Sequence, residues 1–255
     1  MVQITEAYEL PIGERLERIL EDKSNYFMIP VENQVVRSKG LEPKIVRLTK
    51  FPVIDIGYNG DDSLSMIERA HSVLSRYGNL ISSQTDALNA LFLLLSDKKI
   101  FDGNGHELKS NEGERILDYY LSITNELLNT VFKQHHSLSD LFVLEHDHLS
   151  QKGKYEDIIE VNNILMESCY IDLNPENFNH HGLPLKNSKS KIQEYKRGEN
   201  IKYVAYIPPI ENIISSKKTS VARIKNSKGE AILDLNEINN NSRISQVRAK
   251  LLGDI

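Results

Sequence analysis

The amino-acid sequence predicts an α+β protein in which N- and C-terminal β-strands, in a mixed or antiparallel sheet, flank a helical middle third. Runs of β-branched and aromatic residues occur before residue 60 and again after residue 168. Between these regions, apolar residues recur with the helical period of 3.6. An apolar content of 40% and a charged content of 26% are those of an ordinary globular chain.

The N-terminal region is predicted to begin with a short helix and to continue in strands. Pro11 can occupy the first turn of this helix, and Leu16, Ile19 and Leu20 lie on one of its faces. Glycine and proline residues then separate runs that are rich in β-branched and aromatic residues. These runs predict strands over residues 26–31, 44–48 and 53–58.

The middle third is predicted to consist of helices. Residues 61–95 hold two apolar stripes that Gly78 interrupts, which predicts two helices. Asn111 and Glu114 form a capping-box-like start for a long third helix, whose apolar stripe reaches Val131. Two more helices are predicted over residues 138–150 and 154–167.

Two tight turns predict β-hairpins. The Asn104–Gly105 pair suits the positive φ of such a turn and predicts a small hairpin over residues 100–108. Residues 226–229 contain a lysine and a glycine between two alternating runs, and they predict a second hairpin from residues 219–225 and 230–235.

The remaining part of the chain after residue 168 is predicted to hold two more strands and a helix. The strands are predicted over residues 169–173 and 201–207, and Ser242 is predicted to cap the final helix. The chain then divides into two units, residues 1–168 and residues 169–255, or forms a single domain.

Composition excludes a disulfide scaffold and a membrane-spanning helix. The single cysteine, Cys169, cannot form an internal disulfide, and we therefore expect a reducing, cytoplasmic environment. The longest apolar run, from Ala90 to Leu95, is far shorter than the roughly 20 residues that span a bilayer. We expect no membrane partner. Neither a dinucleotide-binding glycine pattern nor a Gly-Lys-Ser/Thr phosphate loop occurs, and we predict no cofactor.

Charge is unevenly distributed along the chain, whose net charge is −5. Residues 1–183 contain 17 basic and 29 acidic residues, which gives a local charge of −12. Residues 184–228, called the basic segment below, contain 11 basic residues and three glutamates, which gives +8. A segment of opposite charge on an acidic body indicates an anionic partner.

The basic segment predicts a non-catalytic protein that associates with nucleic acid or another polyanion, or that takes part in an assembly. Lysine and arginine side chains bind phosphates with release of condensed counterions, and interleaved tyrosine rings can stack on bases. The predicted contacts are Lys186, Lys189, Lys191, Lys196, Arg197, Lys202, Tyr203, Lys217, Lys218, Arg223 and Lys225.

Other interpretations of the same charges stay open. The basic segment can be a solvated loop, or it can dock on the acidic body of the same chain. It can also bind an acidic protein partner. A separate hypothesis is a protein-binding subunit of a larger complex or a homo-oligomer, with the helical middle as its docking surface.

Histidine is concentrated between residues 135 and 181, where six of the eight histidines lie near Glu145 and Asp147. Adjacent histidines point in different directions in a helix or a strand, and so do His146 and His148 in the predicted helix. Three or four converging ligands are needed for a metal site. We therefore expect surface histidines rather than a metal site, and they could make binding dependent on pH.

A metal-dependent hydrolase is the alternative from another functional class. Asp172 at a strand end, followed by Glu194 and Lys196, has the order of acidic residues and lysine found in nucleases of the PD-(D/E)xK type. The same short pattern occurs at four other places in the chain, and Glu194 lies in a polar segment rather than an apolar strand. Because the pattern is this frequent in the chain, it is weak evidence for a nuclease, and the non-catalytic interpretation is favoured.

Overall fold

The structure is a computed structural model that describes residues 12–32, 34–57, 63–122, 125–134, 141–144, 159–161, 163–165, 167–188, 203–207, 220–227, 230–235 and 244–252. The α-helices in this part of the chain are α1 Ile12–Glu21, α2 Gln34–Ser38, α3 Ser63–Leu74, α4 Gln84–Leu94 and α5 Ser110–Ser122. None of these helices is long and apolar enough to cross a membrane.

The strands of the described residues follow in chain order. They are β1 Tyr26–Val31, β2 Lys44–Thr49, β3 Ile54–Gly57, β4 Asn79–Ile81, β5 Glu126–Gln134, β6 Leu141–Leu144, β7 Ile159–Val161, β8 Cys169–Asp172, β9 Tyr203–Ile207, β10 Ser220–Ser227, β11 Glu230–Asp234, β12 Ile244–Val247 and β13 Ala249–Leu251. Helices and strands together make the α+β class that the sequence predicts.

These strands form two sheets. A four-stranded antiparallel sheet has the order β1-β2-β13-β4. A nine-stranded mixed sheet has the order β3-β12-β5-β10-β11-β9-β8, and β6 and β7 extend from β5. Two of its pairs are parallel, β11 with β9 and β12 with β5. Because β5 pairs with β10 and β12, strands from both sides of residue 168 are hydrogen-bonded to each other.

Helices α3 and α4 pack on different parts of the hydrophobic interior. The apolar residues of α3, including Met66 and Ile67, belong to a cluster with Val131 of β5 and Val247 of β12. Those of α4, including Leu88 and Leu91, belong to a second cluster with Phe27 of β1 and Phe132 of β5. Because β5 contributes to both clusters, it lies at the centre of the fold.

The N-terminus of α4 is fixed by a capping box. The Ser83 hydroxyl accepts a hydrogen bond from the Asp86 backbone N–H, and the Asp86 carboxylate accepts one from the Ser83 N–H at 2.9 Å. Asp86 is also bound by Lys250 of β13, whose ammonium lies 2.8 Å from the nearer carboxylate oxygen. The helix is thus fastened to the four-stranded sheet at its first turn.

The loop between β8 and the 3₁₀ turn Lys186–Ser188 is anchored on the same helix. Thr85 donates a hydrogen bond to the His180 carbonyl, and the Gln84 amide donates one to the Gly182 carbonyl. Gly182 has φ of +74°, and a Cβ at this position would lie 3.0 Å from the Thr85 nitrogen. A glycine is therefore needed for this close approach.

Several predicted elements are confirmed. Strand β1 has the predicted bounds, and α1, α3 and α4 occur where the apolar stripes predict helices. Strands β10 and β11 form the second predicted hairpin, with Ser227 opposite Glu230. The predicted turn at residues 102–105 is also present, with a bridge between Phe101 and Glu107.

The prediction of a helical middle third is wrong for the second half of that region. The third helix ends at Ser122, and residues 126–134 form β5. Strands β6 and β7 occur where helices were predicted over residues 138–150 and 154–167. Residues 125–132 are all buried, so this strand has two buried faces and no alternation of apolar and polar residues. Such a run matches a helical stripe as well as a strand.

The predicted final helix is also wrong. The chain after Ser242 forms β12 and β13, with Arg248 between them. Val247 and Leu251 are four residues apart, which matches a helix, but they lie in strands of two different sheets. Pairing with distant strands, which local spacing cannot show, determines the structure here.

Candidate functional site

The described part of the chain contains four of the residues predicted to contact a polyanion. Lys186 is exposed and begins the 3₁₀ turn Lys186–Ser188. Tyr203 begins β9 and pairs in register with Asp172 of β8. Arg223 and Lys225 lie on β10. The other predicted contacts lie outside the described residues; they are Lys189, Lys191, Lys196, Arg197, Lys202, Lys217 and Lys218.

Arg223 lies inside the protein, which corrects its prediction as a surface contact. Its side chain is 1% exposed, and Nη2 donates a hydrogen bond to Asp234 at 3.1 Å. Asp234 lies directly opposite on β11, and Lys225 pairs with the same carboxylate. Burial lowers the pKa of Arg223, while the adjacent Asp234 opposes this shift. Two charges of the basic segment are therefore paired within the hairpin.

The residues of the nuclease-like pattern are only partly described. Asp172 is exposed at the end of β8, and its carbonyl accepts a hydrogen bond from the Asn177 amide at 3.1 Å. Glu194 and Lys196 lie outside the described residues.

The histidine-rich region is also partly described. The adjacent histidines His180 and His181 were expected to point in different directions, but they lie in a turn and their ring centroids are 3.8 Å apart. His180 is exposed and His181 is buried. The other predicted histidines, His135, His136, His146 and His148, lie outside the described residues. Within the ranges given above, no three histidine, cysteine or acidic residues are grouped as a metal site requires.

A surface cleft that the sequence does not predict lies beside the basic segment. It has two cavities of about 390 and about 190 Å³, and Arg37 lines both. The larger cavity is lined by polar residues only, which are Arg37, Ser38, Glu176, Asn177 and Asn187. The smaller cavity has an apolar wall and a charged rim; its lining is Pro30, Glu32, Arg37, Asn89, Phe92, Leu93, Ser96, Lys98, Leu173 and Pro175. We call these two cavities the Arg37 cleft.

Three parts of the chain build the Arg37 cleft. The segment from β1 to α2 supplies Glu32, which follows β1, and Arg37, which lies on α2; the turn after β8 supplies Glu176. Helix α4 supplies Phe92, whose ring packs edge-on against Phe178 with centroids 6.2 Å apart. Asn89 of α4 accepts a hydrogen bond from the Glu32 N–H at 2.9 Å. The cleft is therefore bounded by the anchored loop on one side and by the four-stranded sheet on the other.

The charged groups of the Arg37 cleft form a chain of ion pairs. Arg37 donates from Nε and Nη2 to one oxygen of Glu32, at 3.0 and 2.9 Å. Its Nη1 lies 3.5 Å from a Glu176 oxygen, and Lys98 Nζ lies 3.7 Å from the other Glu32 oxygen. The Arg37 side chain is 42% exposed and that of Glu176 is 64% exposed. Solvent therefore screens these pairs.

A second arginine–glutamate pair is completely buried. Arg248, between β12 and β13, contacts Glu126 of β5 at 3.1 and 3.2 Å, and both side chains are 0% exposed. Its guanidinium lies 3.8 Å from the Tyr120 ring centroid and donates to the carbonyls of Thr49 and Lys50. Burial alone would lower the pKa of Arg248, but the charge of Glu126 raises it overall. The pair links the two sheets, because Glu126 belongs to β5 of the nine-stranded sheet and Thr49 ends β2 of the four-stranded sheet.

The Arg37 cleft could not be found from sequence spacing. Its residues come from positions 30–38, 89–98 and 173–187, which only the folded chain brings together. Glu32 and Arg37 are close in sequence, but a glutamate five residues before an arginine is common in a charged chain. No motif connects them with Glu176.

Comparison of the chain with models of protein families, with curated proteins and with solved structures finds no match in any of the three.

Proposed function

We propose that the protein is a non-catalytic, cytoplasmic polyanion-binding protein, with nucleic acid as the favoured partner. The main support is the charge of +8 in the basic segment beside a charge of −12 in residues 1–183. A cationic segment on an acidic body attracts a polyanion while the body repels it, which confines binding to one part of the chain.

Pairing inside the β10–β11 hairpin changes the set of proposed contacts. Arg223 and Lys225 bind Asp234 and are left out. Without them the basic segment still contains nine cationic residues and three glutamates. The proposed contacts are Lys186, Lys189, Lys191, Lys196, Arg197, Lys202, Tyr203, Lys217 and Lys218.

The test is fluorescence anisotropy with labelled duplex DNA, single-stranded DNA and single-stranded RNA at low and at physiological salt. We expect binding that weakens steeply with salt, because each phosphate contact releases a counterion. The Lys217→Glu/Lys218→Glu variant should weaken binding by at least about tenfold and lower the salt dependence.

Lys98→Glu/Lys99→Glu is the matched control, because it reverses two adjacent charges on the acidic body. Both control lysines are exposed, with side chains 65% and 69% accessible. An equal loss in the two double variants would show that only net charge matters. Absence of binding at low salt would remove the proposal.

Two other activities are outcomes of the same experiment. Degradation of the nucleic acid in Mg²⁺ or Mn²⁺ that Asp172→Ala abolishes would favour the metal-dependent hydrolase. Self-association detected by light scattering, without nucleic-acid binding, would favour an assembly subunit or homo-oligomer.

A further inference from the structure

We propose that the Arg37 cleft binds a small zwitterion, an α-amino acid with an apolar side chain. The ligand carboxylate would bind Arg37, its ammonium would bind Glu176, and its side chain would enter the smaller cavity. This inference is independent of the proposed binding of nucleic acid, because it uses none of the lysines of the basic segment.

The balance of charge in the Arg37 cleft favours a zwitterion over an anion. Two cations, Arg37 and Lys98, and two carboxylates, Glu32 and Glu176, line the two cavities. A phosphate group would gain from the cations but would be repelled by both carboxylates. A zwitterion can pair with both signs at once, and a guanidinium presents two parallel N–H donors to a carboxylate.

The solvent-exposed ion pair between Arg37 and Glu176 is the one that a ligand would replace. Arg37 and Glu176 are 3.5 Å apart at closest approach, and both are largely accessible to solvent. Such a contact contributes little to stability. Glu32, only 20% exposed and closer to Arg37, would keep the guanidinium in position while Glu176 turns to the ligand.

The apolar lining of the smaller cavity favours a ligand with an apolar side chain. Its wall includes Phe92, Leu93, Leu173 and two prolines, and its volume is about 190 Å³. The adjoining polar cavity has about 390 Å³, which lies within the range typical of small-ligand sites. An apolar cavity beside groups of opposite charge is suited to an amphipathic molecule that carries both of its charges at one end.

Isothermal titration calorimetry of the full chain tests this site with four probes. L-leucine and L-phenylalanine contain both charges, N-acetyl-L-leucine lacks the ammonium, and L-leucinamide lacks the carboxylate. We expect the two amino acids to bind at least about tenfold more tightly than either derivative, since each derivative loses one charged contact.

Variants of the cleft assign each charge. Arg37→Gln should weaken leucine by about tenfold and leave leucinamide unchanged, because leucinamide has no carboxylate to lose. Glu176→Gln should weaken the binding of leucine and should not weaken that of N-acetyl-leucine, which has no ammonium to lose. Glu107→Gln is the control, since Glu107 forms an exposed ion pair with Lys99 elsewhere on the surface.

The side chains changed are exposed or half-exposed, and circular dichroism of each variant verifies that it is folded. Equal affinity for leucine and both derivatives would overturn the proposal. So would the absence of binding at millimolar leucine, or tighter binding of adenosine monophosphate than of leucine. Binding of leucine without binding of nucleic acid would contradict only the proposed function of the basic segment.

Discussion

Two arginine–glutamate interactions in this protein have the same chemistry and opposite surroundings. Arg248 and Glu126 are both 0% exposed and join β5 to the end of β12. Arg37 is 42% exposed and divides its donors between Glu32 and Glu176 at the edge of a cleft. We expect burial to decide whether such a pair is a permanent part of the fold or an exchangeable part of a surface site.

The two arginines also differ in what would replace their hydrogen bonds if the side chain were removed. Arg248 donates to a carboxylate and to two backbone carbonyls and stacks on Tyr120. Loss of its charge would leave Glu126 buried without its cation, which is costly in a medium of low dielectric constant. Loss of Arg37 would leave carboxylates that water can solvate.

The largest expected effect is that of Arg248→Met. We expect this variant to lose about 3–5 kcal/mol of unfolding free energy, because a buried carboxylate loses its partner. Urea unfolding followed by circular dichroism measures it. The double variant Arg248→Met/Glu126→Leu should lose less than the single variant, since neither charge remains. A double variant as unstable as the single one would contradict this account.

Alkaline pH should give the next effect, through buried phenols. Burial raises the pKa of Tyr26 from 10.0 to about 12, and burial also raises that of Tyr120. Between pH 10.0 and about 12, Tyr26 therefore keeps its proton in the folded state and releases it in the unfolded state. The contribution of the protonated Tyr26 phenol to the free energy of unfolding is complete below pH 10. It is lost as the pH rises to about 12, and its size is about 2–3 kcal/mol.

Unfolding in urea at a series of alkaline pH values tests this linkage. Tyr26→Phe should be less stable at neutral pH, because the hydroxyl donates to the Leu20 carbonyl at 2.9 Å and contacts Asn79 at 3.0 Å. Its stability should then decrease less with pH than that of the wild type. Tyr170→Phe, at an exposed position, is the control. Parallel pH profiles for wild type and Tyr26→Phe would exclude the mechanism.

An intermediate effect is expected at the half-buried start of α4. Ser83→Ala removes the acceptor for the Asp86 N–H and should cost about 1 kcal/mol, as helix N-caps usually do. Ser75→Ala is a matched control, because the Ser75 hydroxyl is exposed and bonds only to a carbonyl three residues earlier. Thermal unfolding of both variants measures the difference, and equal losses would argue against the cap.

The smallest effect is expected for Arg37→Gln. We predict a change in unfolding free energy below about 1 kcal/mol, since exposed ion pairs contribute little. Measured beside Arg248→Met in the same urea experiment, it gives the comparison directly. A loss as large as that of Arg248→Met would mean that the Arg37 cleft is structural, and the case for an exchangeable site would fail.

Local sequence predicts elements whose burial is one-sided. Helix α3 alternates between buried and accessible residues, and its period shows in the sequence. Strand β5 has two buried faces and was predicted as helix. Strands β12 and β13 depend on partners that lie up to about 200 residues earlier in the chain, which no local period contains.

The charge of a segment does not show which of its side chains lie on the surface. Arg223 was assigned to the surface because it follows a run of lysines, but its opposite neighbour on β11 is Asp234. A cross-strand pair of opposite charges can bury both side chains, and its register is not visible before the hairpin is known. The Arg37 cleft was missed because tertiary contacts alone assemble it.

Strand β13 completes the four-stranded sheet only late in synthesis of the chain. It lies between β2 and β4, so the four-stranded sheet cannot close until residues 249–251 have left the ribosome. Until then β2 and β4 each lack a neighbour, although both were translated much earlier, and unpaired edges are open to wrong associations. The nascent chain should therefore depend on chaperones or rapid translation more than its size suggests.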